Sequence, residues 1–344
     1  NESLSFIWCL QIFVFNLSQQ NRRKVMATKN SILLGTLGKY SDRFHTYQPE
    51  KSFSERLEVA KSIPRTDGVE PVYPQDLGHN GENVQILKDS GHKVSAINVN
   101  LKGEDLFRAG SFTNPDASIR KKSVEYMKKA IDISTEFNAN MISVCPLIDG
   151  SDHPFHVDHM KQWHWAIEAF QEVSNYNSDV KISIEYKAYE VRNRIILPSM
   201  GKTLHFCDRV GSKNLGVTMD LGHALIEQES PAAEMAAAHD AGRLFYIHFN
   251  DNNRQADWDM PVGSVNLWET LEAIYFMDKI GYDGWIAYDV FTRAGKGSDA
   301  ISHTFETMED LRSLIAKIGD TKIQELSESG DSAYVAKELI KNLL

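Results

Sequence analysis

The sequence predicts an eight-stranded parallel barrel wrapped by helices, a (β/α)8 architecture, carrying an extra C-terminal helix. Three observations lead there. From Ser31 onward, short β-branched runs alternate with longer helix-period segments, the pattern of repeated strand and helix units. The later runs place polar residues on one face and apolar residues on the other. Four of them end in an acidic or imidazole side chain: Glu185 in KISIEYK, Asp220 in LGVTMDLGH, His248 in LFYIHFND and Asp289 in GWIAYDV. Four such ends meet at one point when the strands close into a barrel, whose carboxyl-terminal rim is where barrel enzymes keep their chemistry. The chain of 344 residues, 42% hydrophobic, is long enough for that core.

The elements follow in order. Residues 1–25 read differently from the rest: the apolar run SLSFIWCLQIFVFNL precedes Gln19, Gln20, Arg22, Arg23 and Lys24. The run is shorter than the ~20 residues of a membrane span, and its basic cluster follows the apolar part, where a signal peptide would carry it before. It is expected to be a non-domain leader, artefactual or disordered, ahead of the start at Met26; a membrane-surface anchor or partner-binding helix is the alternative. Strands are expected at 32–37, 68–72, 94–100, 141–147, 181–186, 215–220, 244–249 and 285–290. Between them lie amphipathic helices such as Asp116 to Phe137, with Val124, Met127 and Ile131 opposed to Arg120, Lys121 and Lys128. A last helix, Ile323 to Leu343, is expected to pack outside the barrel or against another subunit. The expected organisation is a leader (1–25), a catalytic barrel domain (26–320) and a helical extension (321–344). A doubly wound open sheet is the runner-up, but no GxGxxG follows the first strand.

Alternation within the strands assigns their faces. Ser183, Glu185 and Lys187 share one face of the fifth run, against Ile182, Ile184 and Tyr186. Gly216, Thr218 and Asp220 share a face in the sixth; Tyr246, His248 and Asn250 do so in the seventh. The polar faces are therefore expected to point into the barrel.

Composition removes several function classes. A formal charge of −10 without a basic stripe argues against nucleic acid as the partner. The three cysteines, Cys9, Cys145 and Cys207, are far apart and form no CxxC, so neither disulfides nor a thiolate metal site is expected and a reducing cytoplasm fits. No membrane partner is expected. Three carboxylates and an imidazole, without thiolate, form a divalent-cation donor set that suits Mn2+, Mg2+ or Co2+ and permits Zn2+. Taken singly, each residue has a plainer reading: a helix cap or ion-pair partner for an acid, a hydrogen-bonded core group for His248, a pairing with Glu190 for Lys187.

Five stretches then carry a resemblance: GSFTNPD at 110–116, DGSDHPFHVD at 149–158, IEYK at 184–187, TMDLGHAL at 218–225 and GRLFYIHFNDN at 242–252. In this order, residues 31 to about 318 resemble the xylose isomerase-like barrel superfamily of sugar isomerases and epimerases, most closely its rhamnose isomerase-type branch. The resemblance implies that Glu185, Asp220, His248 and Asp289 hold a metal, most readily Mn2+, that binds two oxygens of an open-chain sugar. It implies a second metal on His223, Asp257 and Asp259, although the loop after His248 differs slightly in length, and it sets Lys187 beside the substrate oxygens.

The implied reaction is aldose–ketose interconversion by a metal-assisted hydride shift, with Lys187, Glu185, Asp289 and His223 as the chemical groups. The alternative is a ketose 3-epimerase, or a lyase on an oxidised sugar or glycoside, working through an enediolate. Trp258, Phe112, His153 and Arg192 are expected to contact substrate, with Phe155 and Trp285 as further aromatic candidates. TRAGKGSD after the eighth strand reads as a flexible turn rather than a phosphate clamp, so the sugar is expected to be unphosphorylated. A homo-oligomer, dimer or tetramer, is expected.

Overall fold

Residues 28–190 and 192–344 are described by the structure, a computed structural model; the leader expected at 1–25 lies outside them. Eight strand positions close on themselves. They are β1 (Lys29–Leu33), β2 in two pieces (Gly68–Glu70 and Val72–Tyr73), β3 (Ile97–Val99), β4 (Met141–Val144), β5 (Lys181–Glu185), β6 (Leu215–Asp220), β7 (Leu244–Phe249) and β8 (Trp285–Tyr288). All neighbouring pairs are parallel. Closure falls at Pro71, which has no N–H to give a ladder: the first piece of β2 pairs with β1 and the second with β3. The barrel and its surrounding helices are the expected fold.

The register confirms the assignment of faces. Thr218 lies opposite Glu185, and Asp220 opposite His248. Inside, Thr218 Oγ1 donates to Ser183 Oγ at 2.7 Å. A lower layer holds Ala96, Met141, Tyr246 and Ala287, with no exposed surface on three of the four. Ile182, Ile184 and Met219 face the other way and are fully buried, each contributing about 1.5–3 kcal/mol.

Two elements differ from the sequence expectation. The first strand was expected at 32–37; it runs Lys29–Leu33, and Leu34–Leu37 turns into a 3-10 helix. The residues LLGTL are apolar enough for either, and Gly35 favours the turn. A single last helix at 323–343 is corrected to two, Asp320–Ser329 and Ser332–Leu343, following the long helix Gly297–Ile318. Gly330 sits in the left-handed region at φ 63°, and Asp331 caps the next helix through Ala333 N and Tyr334 N.

The described residues fall into two compact units, Thr28–Ser313 and Leu314–Leu344. Within the second, Lys322 Nζ reaches Tyr334 Oη at 2.7 Å, Glu325 at 3.1 Å and Glu338 at 3.4 Å, tying its two helices together. Among the described residues no helix is long and apolar enough to cross a membrane.

The resembling stretches have local structural reasons. Asp116 and Asp158 are N-caps of the helices Ala117–Glu136 and His159–Tyr176. Asp149 is fully buried and accepts from Ser111 N at 2.9 Å, Thr113 N at 2.8 Å, Thr113 Oγ1 at 2.7 Å and Ser111 Oγ. The GSFTNP and DGSDHP segments are therefore tied to each other by one carboxylate.

Candidate metal centre

Three strands deliver the centre. Glu185 ends β5, Asp220 ends β6 and His248 lies one residue from the end of β7; all three are buried, and their ligand atoms lie within 4.8 Å of one another. Asp289 follows β8 and lines the same cavity of about 280 Å³, together with Lys187, His223, Asp257 and Asp259. Every metal-ligating residue expected from the sequence is thus at one end of the barrel.

Asp220 serves twice. Its Oδ1 accepts from His223 N at 2.9 Å, capping the short helix Leu221–Ile226, while Oδ2 accepts from Asn250 Nδ2 at 3.0 Å. The cap is what swings His223 back over the cluster, with Nδ1 2.8 Å from the Tyr186 carbonyl and Nε2 3.3 Å from Asp257 Oδ2. Gly222 is required in between. A Cβ there would lie 2.1 Å from Asn250 Oδ1 and 2.7 Å from Asn252 Nδ2, which leaves no room for a side chain.

The loop carrying Asp257 and Asp259 is pinned at both ends. Asp251 accepts from Val265 N at 2.8 Å and Asn266 N at 3.0 Å, and its backbone pairs with Met260. Asp259 itself adopts φ 45°, a left-handed conformation that Asp tolerates better than most residues. Its carbonyl accepts from Phe291 N at 2.8 Å, joining this loop to the segment after β8.

Charges are set by mutual proximity. Burial alone would raise Glu185, but His248, His223 and Lys187 outweigh it and hold the carboxyl down at about 2. Burial raises Asp220 to about 6, aided by the charges of Glu185 and Asp257 against the opposing pull of His223. Burial raises Asp289 to about 7, with His248 pulling it down and Glu185, Asp257 and Asp220 pushing it up. Asp259 is pushed well up by burial, Asp257 and Asp289. His223 is raised to about 9: burial opposes its charge, but Asp220 and Asp257 overcome that. Lys187, buried, is raised despite desolvation because Asp257, at 2.6 Å, and Glu190 both pair with it. Its pairing with Glu190 is the plainer reading of this lysine, and it coexists with a place in the cavity wall.

A divalent cation fits these residues. Asp257 Oδ1 and Asp289 Oδ1 are buried and have no hydrogen-bond partner, and an oxygen left so is costly. A cation beside several carboxylates and a neutral imidazole would satisfy them and remove their mutual repulsion.

The expected substrate contacts separate. Trp258 lies between Asp257 and Asp259 in sequence but is half exposed, outside the cavity wall. Phe112 is in the core, 5.0 Å from the ring of Phe170. Arg192 pairs with Asp152 at 2.8 Å, and His153 lines a separate cleft of about 450 Å³ with Trp163, Arg194 and Lys202. Phe155 is fully exposed. Trp285 opens β8 at the opposite end of the barrel, under Lys29.

Sequence reading missed Asn98, Asn100, Cys145 and Phe291 in the cavity wall. It also missed Glu70, fully buried and 3.1 Å from His248 Nε2. The rule that found the quartet, an acid closing an apolar run, applied equally to GVEP.

Residues 60–315 match the family described as xylose isomerase-like TIM barrel, and the chain belongs to that family. Xylose isomerase of Thermus thermophilus is 27% identical over 204 residues, 58% of this chain and 53% of that protein; xylose isomerase of Thermus caldophilus is 25% identical over 206 residues with the same coverage. The chain thus matches about half the length of these relatives. Among solved structures, a D-tagatose 3-epimerase-like protein aligns with TM-score 0.67 at 19% identity, covering 86% of this chain and all of that one. D-allulose 3-epimerase of Methylomonas sp. aligns with TM-score 0.64 at 17% identity, covering 83% and 97%.

Proposed function

We propose that this chain is a divalent-metal-dependent sugar isomerase that interconverts an aldose and a ketose, nearest in type to the rhamnose isomerase branch of its family. The observation that carries the reading is the convergence of the ligand atoms of Glu185, Asp220 and His248 within 4.8 Å, with Lys187 beside Glu185 in the cavity wall. Glu185, Asp220, His248 and Asp289 would hold one cation, and His223, Asp257 and Asp259 a second; Mn2+ suits this oxygen-rich set best, with Mg2+, Co2+ or Zn2+ as substitutes. The bound cation supplies Lewis acidity to the sugar oxygens.

The chain's own residues do the rest. In the aldose-to-ketose direction the hydrogen on C2 leaves with its electron pair and joins C1, while the proton of O2 passes to O1. Lys187 stays protonated beside Asp257 and Glu190, so it acts as a donor towards an oxygen that gains charge and not as a base. His223, with Nδ1 on the Tyr186 carbonyl and Nε2 3.3 Å from Asp257, would with Asp257 hold the second cation beside the hydroxyls whose proton moves. Asn98 and Asn100, in the cavity wall, offer neutral hydrogen bonds to further hydroxyls. Among the described residues that line this cavity the cations are Lys102 and Lys187, the latter paired with Asp257 and Glu190, and no arginine is present to clamp a phosphate, which supports an unphosphorylated sugar.

A ketose 3-epimerase working through an enediolate is the second reading, favoured by Glu185 and Asp289 as two carboxylates in one cavity. The experiment is turnover of an aldose and ketose panel in deuterated water, using chelated protein reloaded with Mn2+. Product free of solvent deuterium is expected; deuterium at the reacting carbon would move the assignment to the epimerase. We also infer a homo-oligomer, supported by the exposed Ile340 and Leu343 of the last helix and Leu344 after it and checked by sedimentation.

A further inference from the structure

Glu70 is set in the barrel behind the centre, at the end of the first piece of β2. It is fully buried and is not part of the cavity wall, so neither substrate nor solvent reaches it. Three donors hold it: Asn98 Nδ2 on Oε1 at 3.0 Å, and Tyr246 Oη and His248 Nε2 on Oε2 at 2.8 and 3.1 Å. Tyr246 is in turn braced by Ser95 at 2.7 Å, and Ser95 by Ser31 at 2.7 Å. A polar chain thus runs up the barrel interior and ends on one nitrogen of His248.

The other nitrogen of that ring faces the centre. His248 Nδ1 is 3.2 Å from Glu185 Oε1 and 3.9 Å from Asp220 Oδ2. A ring that ligates a cation is neutral and carries a single N–H, and the acceptor available on its far side decides which nitrogen keeps it.

We infer that Glu70 is a positioning residue which, by accepting the Nε2–H of His248, fixes the ring so that Nδ1 presents its lone pair to the cation. This rests on the metal-centre reading above. Oε2 faces two donors and Oε1 a third, so both carboxylate oxygens are held. Its negative charge also makes the opposite ring nitrogen a stronger donor to a cation.

The test uses Mn2+ itself, with free Mn2+ followed by electron paramagnetic resonance, on three full-length proteins: wild type, Glu70→Gln and Tyr246→Phe. Glutamine keeps the shape and, with Asn98 turned over, can still accept from Tyr246 and His248, but it lacks the charge. Phenylalanine removes one donor from Glu70 and leaves the carboxylate on His248. Mn2+ affinity is expected to fall ~10- to 100-fold in Glu70→Gln and no more than about threefold in Tyr246→Phe.

Equal losses in the two variants would make the cluster merely structural and overturn the inference, as would unchanged affinity in Glu70→Gln. Should Glu70→Gln fail to fold, 15N-histidine spectra of the Mg2+-loaded wild type decide. A proton on Nε2 of His248 is expected, and a proton on Nδ1 overturns the assignment. If the wild type takes up no divalent cation, the metal-centre reading fails and this inference with it; uptake by wild type with matching Glu70→Gln affinity removes only the role of Glu70.

Discussion

Asp149 and Asp220 are both buried aspartates near the carboxyl end of barrel strands, and they are built for opposite purposes. Asp149 accepts from two backbone N–H groups and two hydroxyls, with Ser and Thr as its donors. Burial raises it, and those hydrogen bonds from Ser111 and Thr113 pull it back. Asp220 has fewer donors and, beside it, Glu185, Asp257 and the imidazoles of His223 and His248. A carboxylate whose lone pairs are met by fixed dipoles holds structure together. One packed among like charges, with the neighbouring Asp257 Oδ1 and Asp289 Oδ1 unpartnered, is waiting for a cation. Cavity size makes the same point in reverse: the cleft that opens at Gly150, the residue after Asp149, is about 450 Å³ and exceeds the 280 Å³ of the centre, yet its cations Arg194 and Lys202 are exposed. Buried, unsatisfied charge marks the site better than volume does.

The sharpest break of the comparison is Asp220→Asn. The amide still caps His223 N through its oxygen, and Asn250, whose Oδ1 has no partner, can turn over to accept from the new NH2, so the fold is kept but one charge leaves the centre. Turnover is expected to fall ~10³-fold or more, about 4 kcal/mol of barrier, with Mn2+ affinity falling alongside. Steady-state kinetics over a Mn2+ titration reads both. Activity within tenfold of wild type at saturating Mn2+ would place Asp220 among the structural carboxylates.

The matching change on the other side is Asp149→Asn. The amide keeps its oxygen for the three donors on Oδ1 and sets its NH2 opposite the Ser111 hydroxyl, which can turn to accept, so hydrogen bonds to a carboxylate become weaker ones to a neutral amide. A loss of about 2 kcal/mol in unfolding free energy is expected, read by urea denaturation. Turnover per folded molecule should stay within about twofold. A large loss of turnover without loss of stability would show that the tie between residues 110–116 and 149–158 shapes the cavity as well as the fold.

Much of this was legible before any coordinates. The barrel followed from eight β-branched runs, and the faces of β5, β6 and β7 from alternation alone, because a side chain's face on a strand is a local property. The quartet was legible for the same reason: Glu185, Asp220 and Asp289 close their runs. Glu70 was passed over because its run, GVEPV, is short and broken by Pro71, and because its partner His248 lies far off in sequence. The expected substrate contacts Phe112, His153 and Arg192 were chosen by residue type, and type does not say which way a loop turns. Phe112 sits in a tie made by Asp149, and the tie drew it into the core. Asp116 and Asp158, inside stretches that carried the family resemblance, turn out to be helix caps. A resembling motif therefore marks shared architecture as readily as shared chemistry.

The gentlest probe of the comparison is pH. Asp289 and Asp220 are raised to about 7 and 6, and His223 to about 9, whereas Glu185 is held at about 2. His248 is raised well above its usual value: burial works against its charge, but Glu70 and Glu185 outweigh it. A group whose folded value lies above its unfolded one stabilises the fold below the unfolded value and loses that contribution as pH rises through the folded value. The cation-free chain should therefore lose thermal stability from about pH 4 up to about pH 9, as first Asp220 and Asp289 (up to about pH 7) and then His223 (up to about pH 9) give up their protons among neighbouring carboxylates. Glu185 has the opposite sign, but its contribution is complete above the ordinary glutamate range and stays constant over the rest of this window. Cation binding reverses the slope, since each of these protons must leave before the atom can ligate. Mn2+ affinity should rise with pH by up to ~10-fold per unit for each proton displaced, more steeply below about pH 7, where Asp289 and Asp220 begin to hold theirs. Calorimetric titration with Mn2+ in two buffers of different ionisation enthalpy counts those protons directly. Release of about one proton or more near pH 6 is the expected result; binding with no proton release at any pH would mean that the cation sits elsewhere and that these charges are, like Asp149, only structural.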